Sequence, residues 1–297
     1  MRAVSGLSWP IVAAVLCGAL LHAGWNALVK SGGDKALDTA LVHFLGAVVA
    51  LPLLLWAGLP QAGSLPFIAA SLAIHIGYYV ALAGAYQHGE LGLTYPIMRG
   101  FAPLLVALGS ASLIGESPSA AAWLGIVGIT LGVALVGLAH PGEALHHGKA
   151  LAYAFSNAAI IAVYTVVDGL GVRHEVAAGG SALRYVLLLF VLDGLPYPLL
   201  LLWHRGLLRT QGRPQLWAYA RQRWKLAALG GSASIGSYAI ALWAMTRAPV
   251  ASVAALRETS VLFATLLGTW LLKEAFGWQR AIGTVVIVAG VMALRLG

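Results

Sequence analysis

Long apolar stretches of about twenty residues alternate with short polar segments along the whole chain. They lack the period-two alternation of barrel strands, and an apolar segment of this length can satisfy its own backbone in lipid only as a helix. About 20 such residues cross the hydrocarbon core of a bilayer, so we predict ten membrane-spanning helices. The predicted spans are residues 9–29, 37–57, 65–87, 91–113, 119–138, 149–168, 182–203, 225–246, 249–271 and 277–296.

The composition of the 297-residue chain agrees with a multi-pass membrane protein. Apolar residues make up 60% of the chain and charged residues only 9%, whereas a soluble domain carries about 25% charged residues. The excess of 18 Lys and Arg over 10 Asp and Glu falls mostly between the apolar stretches, which indicates membrane topology and no nucleic-acid partner. The predicted fold class is therefore all-α, with the lipid bilayer as a partner.

An internal repeat relates the two halves of the chain. When the sequence is aligned with itself at a shift of 158 residues, two charged pairs and two glycine pairs coincide. Charged residues are scarce in this chain, so the coincidence of two charged pairs indicates a duplication. The pairs are Arg99 with Arg257, Glu116 with Glu274, Gly125 with Gly283 and Gly132 with Gly290. Because each copy holds an odd number of spans, we predict two inverted five-helix units, over residues 1–140 and 141–297. Secondary transporters with inverted units share one site near the bilayer midplane.

Several motifs resemble the EamA-type branch of the drug/metabolite transporter superfamily. They are His22 to Lys30 (HAGWNALVK), Gly115-Glu116 followed by Gly125 and Gly132, and Lys273-Glu274 followed by Gly283 and Gly290. The third-span segment 74–79 (IHIGYY) is similar to that of bacterial aromatic amino-acid exporters. The resemblance covers essentially the whole chain. It implies a ten-helix inner-membrane carrier that exports amino acids or other small metabolites through a cavity lined by the first four helices of each unit.

Polar and aromatic side chains inside the spans are the candidates for the wall of such a cavity. His75, Tyr78 and Tyr79 share one helical face, which offers stacking to a planar substrate. Arg99 lies near the bilayer midplane, where an isolated arginine costs at least about 2.5 kcal/mol. It is therefore expected either to bind a substrate anion or to pair with Glu258, Asp193 or a backbone carbonyl. The predicted substrate-binding residues are Trp25, Asn26, His75, Tyr78, Tyr79, Tyr95, Arg99, Tyr164, Tyr238 and Trp243.

Other charged residues are assigned different roles. Arg257 is expected to be neutralised by the adjacent Glu258. His75 and Asp193 are the candidates for proton coupling, and Asp193 stands at a predicted helix break before Pro196. Glu116 and its repeat partner are expected to complement the N–H groups at the start of the fifth and tenth helices.

The sequence holds no phosphate-binding loop, no metal-ligand motif and no visible catalytic set, so neither a cofactor nor a metal is expected and the chain is not predicted to be an enzyme. The leading hypothesis is a secondary, non-ATP transporter that exports amino acids, aromatic ones among them, by alternating access. It would be a monomer that binds a small-molecule substrate. The alternatives are a carrier of organic phosphates or nucleotide-linked anions, an efflux pump for cationic drugs and, remotely, an intramembrane enzyme.

The sequence does not decide on which side of the membrane the termini lie. Lys and Arg are more numerous in the loops after odd-numbered spans, which by the positive-inside rule places the termini outside. The family resemblance instead implies cytoplasmic termini.

Overall fold

A computed structural model of the protein describes residues 7–88, 91–137, 148–206, 213–272 and 277–296. These residues are almost entirely helical and contain no strand. The helices are α1 (Trp9–Lys30), α2 (Lys35–Ala57), α3 (Leu65–His88), α4 (Leu91–Leu113), α5 (Ala120–Gly137), α6 (Gly148–Ala177), α7 (Ala182–Asp193), α8 (Pro196–His204), α9 (Arg213–Met245), α10 (Val250–Arg257), α11 (Ser260–Leu272) and α12 (Trp278–Leu296).

Ten segments among the described residues are long and apolar enough to cross a membrane, which confirms the predicted number of spans. The seventh span consists of α7 and α8, and the ninth consists of α10 and α11. Most predicted boundaries agree within a few residues. The sixth and eighth spans differ, because α6 continues to Ala177 and α9 already begins at Arg213. Both extensions carry charged residues whose partners lie on other helices.

The two broken spans have different local causes. In the seventh span α7 ends at Asp193 and α8 begins at Pro196, as predicted from a residue that lacks the N–H of a continuing helix. In the ninth span no proline is present, and the turn tightens instead. The backbone N–H groups of Glu258 and Thr259 donate to carbonyls three residues back, and the Thr259 hydroxyl donates to the Leu256 carbonyl at 2.7 Å.

Glycines paired by the sequence repeat face each other where α5 packs on α12. A Cβ atom on Gly132 would lie 2.8 Å from the carbonyl oxygen of Gly283, and one on Gly125 would lie 2.7 Å from that of Gly290. Both distances are shorter than real Cβ contacts, so only glycine allows this antiparallel approach. The repeat shift exchanges the two contacts, as a two-fold axis between inverted units requires. The boundary proposed between units 1–140 and 141–297 lies outside the described residues and stays a prediction.

The bundle has two ends that carry different loops. We call the end with the loops after odd-numbered spans, such as 31–34, the odd end. The end with the loops after even-numbered spans, such as 58–64 and 246–249, is the even end. Packing is densest in the even half, where every residue from Val250 to Leu256 is at most 6% exposed. In the odd half the inward segment 24–29 of α1 is only half-buried.

Candidate functional site

An aromatic wall formed by His75, Tyr78 and Tyr79 of α3 and Tyr164 of α6 lies inside the bundle. The His75 ring stacks on Tyr164 with centroids 4.5 Å apart, and Tyr78 meets Tyr164 edge-on at 6.2 Å and Tyr79 at 5.5 Å. The side-chain amide of Asn157 donates to the Tyr78 carbonyl at 3.0 Å and ties α6 to α3. The structure thus joins Tyr164 from the second half of the chain to the three residues grouped by sequence.

The orientation of His75 is fixed by its own helix. Its Nδ1 lies 2.8 Å from the carbonyl oxygen of Ser71, which can only accept a hydrogen bond. Nδ1 is therefore the donor of this hydrogen bond. This arrangement holds the imidazole plane against Tyr164.

Arg99 forms an ion pair with Glu258. Its Nε lies 2.9 Å from Oε2 of the glutamate, and the two side chains are 11% and 6% exposed. The pair joins α4 to the break between α10 and α11. Of the alternatives that the sequence left open for Arg99, the structure shows the pairing with Glu258.

Arg257 has a different environment from its repeat partner. Its guanidinium lies over the Tyr238 ring, 5.0 Å from the centroid, and none of the described carboxylates forms an ion pair with it. Glu258 forms its ion pair with Arg99 and not with its neighbour Arg257, because the turn after α10 directs the glutamate toward Arg99, although Arg257 stays within electrostatic range of the same carboxylate. Arg257 therefore keeps guanidinium N–H donors that no described carboxylate occupies.

Asp168 of α6 is a buried carboxylate that the sequence analysis did not single out. It is fully buried and accepts hydrogen bonds from the hydroxyl of Tyr185 at 2.9 Å and from the hydroxyl of Tyr238. Tyr238 therefore links Asp168 to the cation above its ring. The available signal was an acidic residue at the end of an apolar stretch, which the pattern assigned to the edge of the span.

Asp193 lies beside the aromatic wall at the break of the seventh span. The Tyr79 hydroxyl donates to its Oδ2 at 2.8 Å, and Nδ1 of His43 lies 3.7 Å from the same oxygen. The Tyr197 ring packs against Tyr79 with centroids 5.3 Å apart. Tyr79 thus uses its hydroxyl to hold Asp193, while its ring faces Tyr78.

Charged groups from both halves of the chain lie near Tyr164 and His22. Tyr164 lies within electrostatic range of Arg99, Arg257 and Asp168, and His22 of α1 lies within range of both arginines. The aromatic wall and the two arginines therefore belong to one polar region between α1, α3, α4, α6 and the ninth span, which we call the chamber.

The remaining predicted site residues divide between this chamber and other positions. Trp25 meets His22 edge-on at 5.2 Å, and the Asn26 amide donates to the His22 carbonyl of the same helix at 2.8 Å. Tyr95 packs against the apolar core within electrostatic range of Arg99. Trp243 lies instead at the even end, with a guanidinium 4.5 Å from its ring centroid.

Glu116 complements the N-terminus of a helix other than the predicted one. Its carboxylate is paired with Arg173 at 2.6 Å and accepts the backbone N–H of Val250 at 2.9 Å. It therefore complements the N-terminus of α10, whereas the sequence had assigned it to the fifth helix. Its repeat partner Glu274 lies outside the described residues. In the described part of the chain, no group of three or more His, Cys, Asp or Glu residues is arranged to hold a metal ion.

Comparison with known proteins agrees with this architecture. A solved structure described only as "Crystal structure of protein" superposes with a TM-score of 0.73 at 23% sequence identity, covering 96% of each chain, and so shares the fold. No curated protein matches the sequence. The model of the EamA-like transporter family matches residues 148–296, half of the chain. The chain therefore belongs to the EamA-like transporter family, whose members are membrane transporters of small metabolites and not enzymes.

Proposed function

We propose that this protein exports amino acids, aromatic ones among them, across the inner membrane by alternating access. The observation that carries the proposal is the position of Arg257, a cation that forms no ion pair with a described carboxylate, at the chamber that also holds the aromatic wall. A zwitterionic substrate with a planar side chain would meet both features at once.

The carboxylate of such a substrate would bind Arg257. A guanidinium presents its N–H donors in a planar fork that matches a carboxylate. Arg99 is a poorer candidate because Glu258 already compensates its charge. The division of roles means that one arginine recognises the substrate while its repeat partner holds the bundle together.

The substrate side chain would stack on the aromatic wall. The His75 and Tyr164 rings present a flat surface, and an additional aromatic contact is worth about 0.5–1.5 kcal/mol beyond burial. This favours aromatic over small aliphatic side chains by a modest factor, so that a range of amino acids can be carried.

Alternating access is supported by the unequal halves of the bundle. The even half is packed densely around α10, while segment 24–29 of α1 in the odd half is only half-buried. Exchange of conformations between two similar inverted units would reverse this arrangement.

Export down a gradient needs no coupled ion. If a proton is carried, the candidates are His75, Asp193 and now Asp168, which accepts only hydroxyl hydrogen bonds in the structure. Asp168 also favours a second candidate function, the efflux of organic cations, because no described basic side chain forms an ion pair with it. A carrier of phosphate dianions is less favoured, since only one of the two deep arginines is uncompensated.

Flux into proteoliposomes tests the proposal. Labelled phenylalanine, its methyl ester and a sugar phosphate would be compared for the wild type, Arg257→Gln and the control Arg247→Gln, which alters an arginine at the even end. We expect Arg257→Gln to lower phenylalanine flux by roughly 10- to 100-fold, the loss of one charge-assisted contact, with ester flux retained. The control should match the wild type.

Three outcomes would contradict the proposal. Equal losses of acid and ester would make Arg257 structural. Transport of the ester alone by the wild type would favour cation efflux, and competition by sugar phosphates but not by amino acids would favour the anion carrier.

A further inference from the structure

A groove opens between α2 and the first part of α9, away from the chamber. It has a volume of about 640 Å³, and the residues that define it include Leu41, Phe44, Leu45, Trp217, Arg221 and Trp224. This volume falls within the roughly 300–1,000 Å³ range of small-molecule sites. Nothing in the proposed transport cycle uses this groove.

The groove lies on the outer face of a well-fixed helix pair. On the inner face the Arg223 guanidinium binds Asp38 with Nε 3.0 Å from Oδ1, and the Asp34 backbone N–H donates to the Tyr219 hydroxyl at 3.2 Å. Both contacts join positions 185 residues apart, so α2 and α9 run parallel in a fixed register. Trp217 on the outer face is 72% exposed, which places the groove at the lipid-facing surface.

The groove is at the level of the lipid headgroups. The 33 residues of α9 span about 50 Å at 1.5 Å per residue, whereas the hydrocarbon core is about 30 Å thick. The excess lies at the odd end, because α9 ends at Met245 beside the even-end loops. Trp217 and Trp224 accordingly stand where tryptophans anchor proteins to the membrane interface.

Two cations stand at the groove: Arg221 lines it, and Lys225 lies beside the lining residue Trp224. Arg221 and Lys225 are four residues apart and share one helical face, and Lys225 Nζ lies 5.8 Å from the centroid of the Trp224 ring. Neither forms an ion pair with a described carboxylate. By contrast, the nearby Arg223 and Arg205 are each paired with an aspartate.

We propose that this groove is a binding site for an anionic phospholipid. Its phosphate would lie between Arg221 and Lys225, and one acyl chain would follow the groove past Trp224 and Phe44 toward the membrane core. A headgroup of net negative charge is required, because the ammonium of a zwitterionic lipid would face the same two cations. Basic residues close to a membrane surface attract anionic lipids in this way.

A second groove at the even end offers a matched comparison. It is half as large, about 330 Å³, and is lined by Ser181, Leu183 and Trp243 among others. Arg247 lies over the ring of the lining residue Trp243 and donates to the Thr246 hydroxyl at 3.1 Å. The same pair of residue types is present, but the cation is engaged and the space is smaller.

Native mass spectrometry of the purified protein tests the proposal with phosphatidylglycerol and phosphatidylcholine of identical acyl chains. We expect the wild type to retain phosphatidylglycerol preferentially. The double variant Arg221→Gln/Lys225→Gln should bind it about 30-fold more weakly, the combined effect of two surface cations. The control Arg247→Gln should behave as the wild type.

A further variant separates the groove from its charges. Leu45→Trp fills the groove and keeps both cations, so it should also reduce lipid retention. Equal retention of the two lipids by the wild type, or an equal loss in the Arg247→Gln control, would overturn the proposal. Full retention of phosphatidylglycerol by Leu45→Trp would show that the acyl chain does not lie in the groove. Since lipid binding is read without transport, the result does not depend on the proposed substrate.

Discussion

The even end of the bundle is closed by buried contacts between distant helices. Arg173 pairs with Glu116 at 2.6 Å and donates to the carbonyls of Met245 and Ala248 at 2.7 and 3.1 Å. Glu175, two residues further along α6, is completely buried. These contacts join α6 to the loops before α5 and α10.

One of the two described ion pairs at the odd end is open to solvent. Asp34 pairs with Arg205, and the two side chains are 31% and 36% exposed. The second pair is as buried as the even-end pair, since Asp38 and Arg223 are 4% and 16% exposed, against 14% and 16% for Glu116 and Arg173. Both pairs connect the start of α2 to the region around α9.

The difference indicates which end opens more easily. Breaking a buried pair leaves an uncompensated charge at a cost of about 3–5 kcal/mol, whereas exposed pairs contribute about 0–1 kcal/mol. The even end therefore has the stronger set of contacts, because Arg173 adds two hydrogen bonds to carbonyls there, whereas one of the two odd-end pairs is exposed and contributes little. In an alternating-access cycle, the even-end contacts are those that have to break.

The largest effect is expected from Arg173→Met. The change leaves Glu116 unpaired in a mostly buried site and removes two hydrogen bonds to carbonyls, so we expect about 3 kcal/mol of destabilisation. Thermal unfolding in detergent measures it. The control Arg205→Met, at the odd end, should cost no more than about 1 kcal/mol. Equal losses of stability in the two variants would contradict the proposed difference between the ends.

Cysteine labelling tests the difference in accessibility, in a Cys17→Ser background. A cysteine at Asn26, in the half-buried odd part of α1, should react with a water-soluble maleimide, and one at Ser252, 4% exposed in α10, should be protected. Adding Glu116→Gln should raise labelling at Ser252 by about tenfold for each 1.4 kcal/mol that the even end loses. Fast labelling at Ser252 in the parent would show that this end is already open.

The smallest effect is expected from acid at the odd end. Partial burial raises the pKa of Asp34, but the hydrogen bonds from Arg205 and from the backbone N–H groups of Leu37 and Ala36 outweigh it and hold the pKa below its ordinary value. The contribution of this pair is therefore present above about pH 4, the ordinary aspartate value, and is lost as the pH falls through the lowered pKa.

Labelling of a cysteine at Ala40, which is 6% exposed near the start of α2, as a function of pH measures this effect, after correction for the reactivity of a free thiol. Labelling should increase in acid in the parent and stay flat in Asp34→Asn. A parallel increase in both would assign the pH dependence to another group.

The fold was predictable to the extent that lipid restricts the backbone. Ten apolar stretches become ten helical spans, two of them broken, because an unpaired N–H or carbonyl is costly in hydrocarbon, and Pro196 marks the break in the seventh span. The far end of α6 and the start of α9 were not predictable. Arg173 and Arg223 remain helical there because other helices supply their partners, which no local pattern reveals.

The candidate site was predictable where its members share a helix. His75, Tyr78 and Tyr79 could be grouped from a spacing of three and four residues alone. Tyr238 could not be connected to Asp168, 70 positions away in sequence, because that contact depends on how α6 and α9 pack.

The sequence by itself determined the number of spans, their helical form and the pairing of Arg99 with Arg257 in a repeat, since these follow from local hydrophobicity and from covalent order. Only the tertiary structure decided that Glu258 turns to Arg99 and leaves Arg257 available. The physical reason is that a charge in a low-dielectric interior takes the partner that the packing brings within a few ångströms, whether or not that partner is next to it in the chain.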